Sequence, residues 1–465
     1  MSDRGPERPV LSFLGAVATV TGSHFLVEHR DTRILVEAGL YQGLAELRRR
    51  NWEPFPLSPA SIDAVVLTHA HLDHCGYLPR LVKEGFAGTV TCTDHTAALA
   101  GIVLRDSAHL QEEDAQDANR LGWSKHRPAL PLYDRDDVER TMPHFRPVAF
   151  GQVVDLGPET AVRLQPAGHI LGSSVVVLET AGRRVVFSGD LGRASHPLLG
   201  PPAPPPACDA LVVESTYGDR HHPIPDPDLL ATTVTRTIRR GGSVLIPAFA
   251  VDRTELVLLE LSRLMVSGAI PRVPLYVDSP MALAALEVYR QALREGSAEL
   301  RADAAESLDA LGGLAVTTVT SAAESIALNR PSHPCIIVSA SGMATGGRVV
   351  HHLEHQLPDP RNCVVLTGYQ AEGTRGRQLA EGARQVKMHG RYVPVRAEIV
   401  QDVEFSAHAD ADEIVGWISS AESLPRTVYV VHGEEHAAQA LATRLSRELD
   451  LCAVVPRLGE RVRLG

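Results

Sequence analysis

Short apolar runs separated by polar turns predict that the first part of the chain is rich in β-strands. Runs of strand type lie at 10–14, 24–28 and 33–36, and the turn between the last two fits a hairpin. A fourth run, 64–68, leads directly into the polar stretch THAHLDHCG. Further strands are predicted at 162–165, 174–179, 184–187 and 210–214. The pattern therefore predicts sheets whose strand ends carry ionisable side chains.

The pattern changes after about residue 216, where apolar strands alternate with helices. The strand and helix pairs are SVLIPAFA with DRTELVLLELSRLM, PLYVDSP with MALAALEVYRQAL, CIIVSASG with GRVVHHLEHQL, and NCVVLTGYQ with GTRGRQLAEG. Continuous apolar strands that are each followed by a helix are typical of a parallel sheet. We therefore expect a second α/β domain here, followed by the strand VYVVHGEE and the helix AAQALATRLSREL.

Two segments have sequence patterns that are not typical of β-strands. Residues 95–145 have helical character, with a polar stretch, SAHLQEEDAQDANR, and a proline-broken stretch, KHRPALPLYDRDDVER. They are either a solvated helical hairpin or a helical flap beside a cleft. The run LLGPPAPPPA at 198–207 predicts a stiff connection.

Composition and charge narrow the class of protein. The 465 residues are 44% hydrophobic and 22% charged, with a formal net charge of −11. This balance is typical of a soluble protein with two or three structural units. The negative charge argues against non-specific binding of the protein along long nucleic acid. It is compatible with a cleft that is locally basic or that carries bound metal ions. The six cysteines form no CxxC pair, which argues against disulfides and a cysteine-based zinc site. We find neither a signal segment nor a membrane-spanning run, so we expect a cytoplasmic protein that does not bind membranes.

THAHLDHCG places four ligand-type side chains in six positions, namely His69, His71, Asp73 and His74. On an extended loop the first two can point the same way, and the last two then face differently. One tetrahedral metal needs about three or four such ligands, so the cluster starts two sites rather than completing one. The alternative is a set of loop residues that cap the next helix, but this density of ligand types favours a metal site.

The remaining ligands must come from other strand ends. Four places offer His or Asp beside small residues, namely PAGH at 166–169, SGDLG at 188–192, FSAHAD at 405–410 and VHGE at 431–434. Each of them alone is more often a turn or a helix cap. Their occurrence together in one chain favours convergence on one site.

These motifs resemble a known family. HxHxDH, a later lone His, and GD after an apolar strand resemble the metallo-β-lactamase superfamily of dinuclear metallohydrolases. VVESTYGD, FSAHAD and VVHGE resemble its β-CASP branch of nucleases, and most closely the bacterial and archaeal relatives of the nuclease subunit of the cleavage and polyadenylation specificity factor. The resemblance implies an α/β fold: an αββα sandwich at 1–215 and 396–465, with an inserted α/β β-CASP domain at 216–395.

The resemblance also implies the metal ligands. One zinc ion would have the ligands His69, His71 and His169, and the other would have Asp73, His74 and His432. Asp190 would bridge the two ions, and a hydroxide between them would be the nucleophile.

Further roles follow from the same resemblance. His408 would be the general acid on the leaving ribose oxygen, and Glu214 would orient it and favour its protonated form. Asp73 would also orient the hydroxide as a base. The sequence departs from the family at Glu37, where Asp is usual. Its longer arm either supports the metal site from behind the ligands or makes only a loop hydrogen bond.

Gly-rich turns of the second domain suit phosphate groups, because they offer backbone amides, hydroxyls and a helix N-terminus. The residues expected to bind substrate are Ser341, Gly342, Thr345, Gly346 and Arg348 in SASGMATGGR, Arg375 and Arg377 in GYQAEGTRGR, and Arg253. Few aromatic residues accompany them, so we expect little base stacking and weak sequence readout.

The predicted function is zinc-dependent hydrolysis of single-stranded RNA, with about two zinc ions per chain and with 5′-phosphate and 3′-hydroxyl products. RNA is favoured over DNA because DNA-repair members of the family typically lack a His at the position of His432. The alternatives are an inactive RNA-binding scaffold and a small-molecule metallohydrolase such as a thioesterase or lactonase. Endonuclease and 5′-exonuclease action both stay open, as do the RNA target and a monomeric or homodimeric state.

Overall fold

The structure is a computed structural model that describes residues 7–122, 124–222, 226–304 and 316–465. The chain divides into two compact units. Unit 1 comprises Met1–His221 and His408–Gly465, and unit 2 comprises His222–Ala407. The domain boundaries at 215 and 395 stay a sequence-based proposal. Parts of the predicted segments lie outside the described residues, namely 1–6, 123, 223–225 and 305–315.

The strands are numbered along the whole chain. Those of the N-terminal part are β1 Val10–Phe13, β2 Phe25–His29, β3 Thr32–Val36, β4 Ala64–Val66, β5 Thr89–Cys92, β6 Phe145–Pro147, β7 Val153–Gly157, β8 Thr160–Pro166, β9 Ser174–Thr180, β10 Arg183–Phe187 and β11 Ala210–Val213. Those of unit 2 are β12 Val244–Pro247, β13 Leu275–Val277, β14 Val316–Thr318, β15 Ile336–Ser339, β16 Cys363–Thr367, β17 Gln385–Met388, β18 Arg391–Pro394 and β19 Glu398–Asp402. The C-terminal strands are β20 Thr427–Val430, β21 Cys452–Val454 and β22 Arg461–Arg463.

The α-helices are numbered in the same way. Those of the N-terminal part are α1 Ala45–Arg50, α2 Leu72–Cys75, α3 Leu78–Lys83, α4 Asp94–Leu121 and α5 Arg135–Thr141. Those of unit 2 are α6 Leu229–Arg239, α7 Arg253–Val266, α8 Pro280–Arg294, α9 Ala322–Leu328, α10 Arg348–Gln356 and α11 Arg375–Ala380. The C-terminal helices are α12 Ala411–Ser419 and α13 Glu435–Leu449.

Two sheets pack face to face in unit 1. Within the described residues their strand orders are β22-β1-β2-β3-β4-β5-β6 and β21-β20-β11-β10-β9-β8-β7. Inward-facing side chains such as Val36, Val66 and Phe187 form one apolar core between them. Helices α12 and α13 cover the outer face of the second sheet through Ile414 and Leu441, and α4 contacts edge strand β6 of the first. The predicted αββα sandwich is confirmed.

The strand directions explain why polar residues meet at one edge of the second sheet. Strands β10, β11 and β20 are neighbours and run parallel, so their C-terminal ends lie side by side. Asp190, Glu214 and His432 follow these three ends. The turn between the antiparallel strands β8 and β9 carries His169. The C-terminal edge of parallel strands is where α/β sheets commonly place their sites.

Unit 2 contains a six-stranded sheet of order β14-β13-β15-β12-β16-β19 in its described part. Every strand pair in that sheet is parallel. The four predicted strand and helix pairs are present as β12 with α7, β13 with α8, β15 with α10, and β16 with α11. The prediction of a parallel sheet is confirmed. The antiparallel hairpin β17–β18 and the edge strand β19 were not predicted from the sequence.

The segment predicted as helical, 95–145, contains one long helix and one short helix. Helix α4 ends at Leu121, and Gly122 caps it in the left-handed conformation with φ of 68°. The chain then has no regular structure between residue 124 and α5, where Pro128 and Pro131 lack the amide hydrogens that a helix needs. Leu99 and Leu104 of α4 are fully buried, so α4 is not a helix surrounded by solvent.

Two further findings concern composition. All six cysteines are free thiols, so the chain has no disulfide. Among the described helices, none combines the length and the apolar character that a bilayer span requires.

Candidate metal centre

The stretch THAHLDHCG changes from extended to helical backbone in its middle. His71 is the N-cap of α2 with extended dihedral angles, and Asp73 and His74 lie within that helix. This change of direction lets the two pairs contribute to different donor groups, although the rings of His69 and His74 stay adjacent, with centroids 4.1 Å apart. The helix is held from behind by a hydrogen bond from the Ala38 amide to the His74 carbonyl, with an N–O distance of 2.7 Å.

Three histidines and one aspartate converge around one point, which we call group 1. Nδ1 of His71 lies 3.1 Å from Nε2 of His69 and 3.3 Å from Nε2 of His169. Oδ2 of Asp190 lies 3.4 Å from Nε2 of His69 and 3.5 Å from Nε2 of His169. Three imidazole nitrogens and a carboxylate oxygen form a suitable donor set for a tetrahedral metal ion.

A second set, which we call group 2, comprises Asp73, His74 and His432. Nε2 of His432 lies 3.2 Å from Nε2 of His74 and 3.6 Å from Oδ2 of Asp73. Oδ1 of Asp190 lies 3.3 Å from Nε2 of His74 and 3.4 Å from Nδ1 of His432. The two oxygens of Asp190 therefore face different groups, which is the arrangement that a bridging carboxylate requires.

Burial makes this cluster suitable for cations and unfavourable without them. His69, His169 and Asp190 are only 0%, 1% and 2% exposed. Burial lowers the pKa of His69 far below its usual value and lowers the pKa of His71 to about 4. Both rings are therefore neutral near pH 7, which is the form that binds metals. A neutral imidazole donates only one hydrogen, so nitrogens that face one another are better satisfied by a shared cation.

The charged side chains between groups 1 and 2 also favour bound cations. Burial lowers the pKa of His74, but the carboxylates of Asp190 and Glu37 outweigh it and raise that pKa well above the usual value. Burial raises the pKa of Asp190, but His432 and His74 outweigh it and hold that pKa well below the usual value. The surroundings of Asp190 therefore stabilise positive charge, which bound cations would supply.

Glu37 contacts both the loop and a histidine of group 2. The residue is buried and follows β3 with φ of 70°. Its Oε1 accepts a hydrogen bond from the Thr68 amide at 3.2 Å and lies 3.5 Å from Nδ1 of His74. A carboxylate behind a metal-binding histidine fixes the ring and makes its other nitrogen a better ligand.

We expect Glu37→Gln to weaken zinc retention by about 10- to 100-fold. The amide oxygen of Gln can still accept from Thr68, so the loop hydrogen bond is kept while the charge behind His74 is lost. The measurement is zinc release to a chromophoric chelator. Glu159→Gln is the matched control, because Glu159 is exposed and pairs with Arg30 at 3.0 Å, on the surface. Equal release from wild type and Glu37→Gln would show that Glu37 supports only the loop.

Two threonines that orient metal-group histidines were missed in the sequence. Oγ1 of Thr68 lies 2.9 Å from Nδ1 of His69, and Oγ1 of Thr216 lies 3.3 Å from Nδ1 of His432. Both threonines stand directly beside recognised residues, in THAHLDH and ESTYGD. That adjacency was the available signal, but only the fold shows that Thr216 contacts a histidine far along the chain.

His408 lies beside Asp190, although it is distant in sequence. The amide of Ala409 donates to the carbonyl of Leu191 at 2.8 Å, which brings this segment to the end of β10. Nδ1 of His408 lies 3.2 and 3.3 Å from the two carboxylate oxygens of Glu214. Glu214 is 1% exposed and its Oε1 also accepts from the Leu191 amide at 2.6 Å. A fixed carboxylate therefore orients the ring of His408.

His408 could also serve as a ligand. Its Nδ1 is 3.9 Å from Oδ2 of Asp190, and its ring centroid is 4.5 Å from that of His169. Donor atoms of Asp190, Glu214 and His408 lie close enough together for a cation. Geometry alone therefore leaves two roles for His408, proton donor and metal ligand.

The arginines predicted to bind substrate lie in unit 2, where each is engaged by neighbouring groups. Nη1 of Arg348 lies 2.6 Å from Oδ1 of the buried Asp278. Nε of Arg377 lies 2.6 Å from Oε1 of Glu381. Arg375 donates to the backbone carbonyls of Ala344, Thr345 and Lys387. Arg253 begins α7 and is 6% exposed.

The predicted Gly-rich loop lies between β15 and α10, also in unit 2. Oγ of Ser341 accepts from the Thr345 amide at 3.1 Å and lies 3.0 Å from its hydroxyl. The Gly342 carbonyl accepts from Nε2 of Gln370 at 3.2 Å. Gly346 has open space where a side chain would stand. The loop is thus internally braced ahead of the N-terminus of α10.

Three family models match successive parts of the chain. They are the metallo-beta-lactamase superfamily at residues 19–242, the Beta-Casp domain at 254–379 and the Zn-dependent metallo-hydrolase RNA specificity domain at 392–456. A solved structure of a protein of unknown function from Enterococcus faecalis has a TM-score of 0.53 at 14% identity, covers 98% of this chain and 100% of its own, and supports the fold alone.

Curated relatives match over nearly the whole chain. Ribonuclease TTHA0252 of Thermus thermophilus is 38% identical, over 93% of this chain and 95% of its own length. An RNase J-like protein of Methanocaldococcus jannaschii is 30% identical, over 97% and 98% of the two lengths. Transcription termination factor FttA of Pyrococcus horikoshii is 31% identical, over 97% of this chain and 70% of its own.

An αββα sandwich with clustered buried ligands at its strand ends defines a metal-dependent hydrolase. The family models and the relatives identify which family of hydrolases this is. The chain belongs to the β-CASP branch of the metallo-β-lactamase superfamily. The resemblance noted in the sequence is confirmed.

Proposed function

We propose that this enzyme, a metal-dependent ribonuclease, hydrolyses phosphodiester bonds of single-stranded RNA and leaves 5′-phosphate and 3′-hydroxyl ends. The observation that carries the proposal is Asp190, whose two oxygens face groups 1 and 2 separately. The ribonuclease names of two relatives and the RNA-specificity family model support RNA as the substrate.

The donor set favours zinc, with about two ions per chain, because nitrogen and carboxylate ligands suit this ion. When bound, the ions would supply a hydroxide near neutral pH and would stabilise charge on the phosphate oxygens. Asp190 would bridge them. The side chain of Asp73 is 23% exposed, against 1% for Asp190. We assign Asp73 the task of orienting the attacking water, because its carboxylate is partly exposed to solvent.

His408 would protonate the ribose oxygen that leaves. Its Nδ1 faces the carboxylate of Glu214, which accepts a hydrogen from it. The proton for the leaving oxygen would therefore come from Nε2. Glu214 would favour the protonated ring and hold it in place.

In unit 2 we assign phosphate contact chiefly to the loop of Ser341, Gly342, Thr345 and Gly346. Its hydroxyls and amides stand ahead of a helix N-terminus, which suits an anion. Arg348 and Arg377 are paired with carboxylates, so phosphate would have to compete for their guanidinium groups. The cytoplasmic location and the homodimeric state stay predictions.

The proposal is tested with end-labelled single-stranded RNA of mixed sequence. We expect cleavage that a chelator stops and that added zinc restores. Single-stranded DNA of the same sequence and a thioester substrate should be turned over far more slowly. Product ends should accept ligation that requires a 5′-phosphate. Labelling at either end separates endonuclease from 5′-exonuclease action.

Two outcomes would contradict the proposal. One is rapid thioester hydrolysis with intact RNA, which would assign the site to small molecules. The other is RNA binding without cleavage at any zinc concentration, which would identify an inactive scaffold. A third arm with a short blunt double-stranded RNA tests the requirement for single strands.

A further inference from the structure

A separate set of ligand-type side chains lies on unit 2, between helix α10 and the hairpin β17–β18. His351 and Glu354 are three residues apart on α10 and therefore share one face. His389 lies in the turn between the two strands. Nδ1 of His389 is 2.8 Å from Oε2 of Glu354. The rings of His351 and His389 stack, with centroids 4.5 Å apart and planes inclined by 20°.

The geometry of this set matches a chelating site. One donor atom from each of His351, Glu354 and His389 lies within 4.8 Å of the others. Two imidazole nitrogens and one carboxylate oxygen form a common set of protein ligands for zinc, with a fourth position left for water. The three residues are accessible to solvent to different degrees, His351 and His389 being exposed and Glu354 half-buried, so an ion can enter.

An ion pair alone explains the arrangement less well. The contact between His389 and Glu354 gives no reason for a second imidazole to stack on the first. A shared ion would explain why donor atoms of both rings and of the carboxylate lie within 4.8 Å of one another.

The place of His389 in the hairpin is also informative. His389 and Gly390 form a two-residue turn, and both have positive φ, 43° and 78°. Such turns are usually Asn-Gly or Gly-Gly. A histidine is therefore present where an asparagine would fit the backbone better.

We propose that His351, Glu354 and His389 bind one divalent transition-metal ion of the zinc class, which fastens the hairpin β17–β18 to helix α10. The site lies wholly within unit 2 and shares no residue with groups 1 and 2. Metal binding at this site can therefore be tested separately from the proposed function.

Existing hydrogen bonds show what this ion would hold together. Arg375 at the start of α11 donates to the Lys387 carbonyl on β17. The same side chain donates to the carbonyls of Ala344 and Thr345, in the loop that precedes α10. Hairpin, α11 and loop are thus already connected. The metal would strengthen the direct contact that His389 and Glu354 already make between hairpin and α10, and so restrict the loop that we assign to phosphate contact.

The test compares the full-length protein with His389→Asn and Glu354→Gln. Asparagine suits the turn and lacks the imidazole, and glutamine keeps the shape while losing the charge. Metal-free protein is dialysed against graded zinc, and its zinc content is measured by elemental analysis. We expect each variant to bind one zinc ion fewer than wild type. The matched control is His333→Ala, at an exposed histidine outside the cluster.

Hydrogen exchange gives a local readout that the ions of unit 1 would not produce. Zinc should slow amide exchange across residues 385–394 in wild type and leave it unchanged in His389→Asn. Equal zinc content in wild type and both variants, with no effect of zinc on the hairpin, would reduce the cluster to an ion pair and overturn the proposal. Loss of RNA cleavage in all proteins, with the zinc difference intact, would contradict only the proposed function.

Discussion

Asp190→Asn is expected to abolish RNA cleavage and to lower the zinc bound by groups 1 and 2 from about two ions per chain to at most one. The reason is the position of the carboxylate, since Oδ2 lies within 3.5 Å of two group 1 nitrogens and Oδ1 within 3.4 Å of two group 2 nitrogens. An amide has one neutral oxygen and one NH₂ group, so it cannot offer an anionic ligand to both sides.

Asp155→Asn is the matched control, because this carboxylate is exposed at strand β7 and accepts a local hydrogen bond from the Gly157 amide. Circular dichroism of both variants checks that the fold is kept. Zinc content is measured by elemental analysis after dialysis, and cleavage with end-labelled RNA. An Asp190→Asn protein with full zinc content and wild-type cleavage would refute the bridging role.

His408→Ala is expected to lower the rate of RNA cleavage by about 10²- to 10⁴-fold, the range of general acid catalysis. Its zinc content should equal that of wild type, because groups 1 and 2 have their own ligands. Loss of an ion would instead assign His408 to the metal set that includes Asp190 and Glu214. His333→Ala, at an exposed site in unit 2, serves as the control.

A change of leaving group separates an acid from a structural residue. The substrate bis(4-nitrophenyl) phosphate releases 4-nitrophenolate, which departs as an anion and needs no proton. If His408 is the acid, wild type and His408→Ala should cleave this substrate at similar rates despite their difference on RNA. An equal loss on both substrates would mean that His408 acts by holding the site together. Glu214→Gln should show the same selectivity with a smaller loss, since Nδ1 of His408 keeps an acceptor.

The sequence predicted the elements of the fold well where side-chain pattern decides them. The apolar strands of unit 2 are buried on both faces, as β15 and β16 show, and their pattern predicted a parallel sheet. The hairpin β17–β18 was missed because its turn is His-Gly rather than Asn-Gly. Strand β19 was missed because it completes a sheet edge with only two apolar residues, Ile399 and Val400, between polar ones, which give no clear alternation.

The arginines show a limit of motif-based prediction. Arg348 follows a Gly-rich turn, which suggests phosphate binding, yet Asp278 lies 2.6 Å from its guanidinium. His352 and Ser325 contact the same carboxylate at 2.7 and 2.6 Å. Asp278 is buried and needs these partners. It is 70 residues away in sequence, so no local pattern could predict the pairing.

The sequence by itself determined which chemistry this protein carries. THAHLDHCG supplies imidazole and carboxylate donors that divide between two groups, because the backbone changes from extended to helical within the stretch. Only the tertiary structure decided that the halves meet. Parallel strands β10, β11 and β20 bring Asp190, Glu214 and His432 to one edge of the sheet. A backbone hydrogen bond from the Ala409 amide to the Leu191 carbonyl brings His408 to the same edge. Contacts of this kind depend on packing between distant segments, which the order of residues does not display.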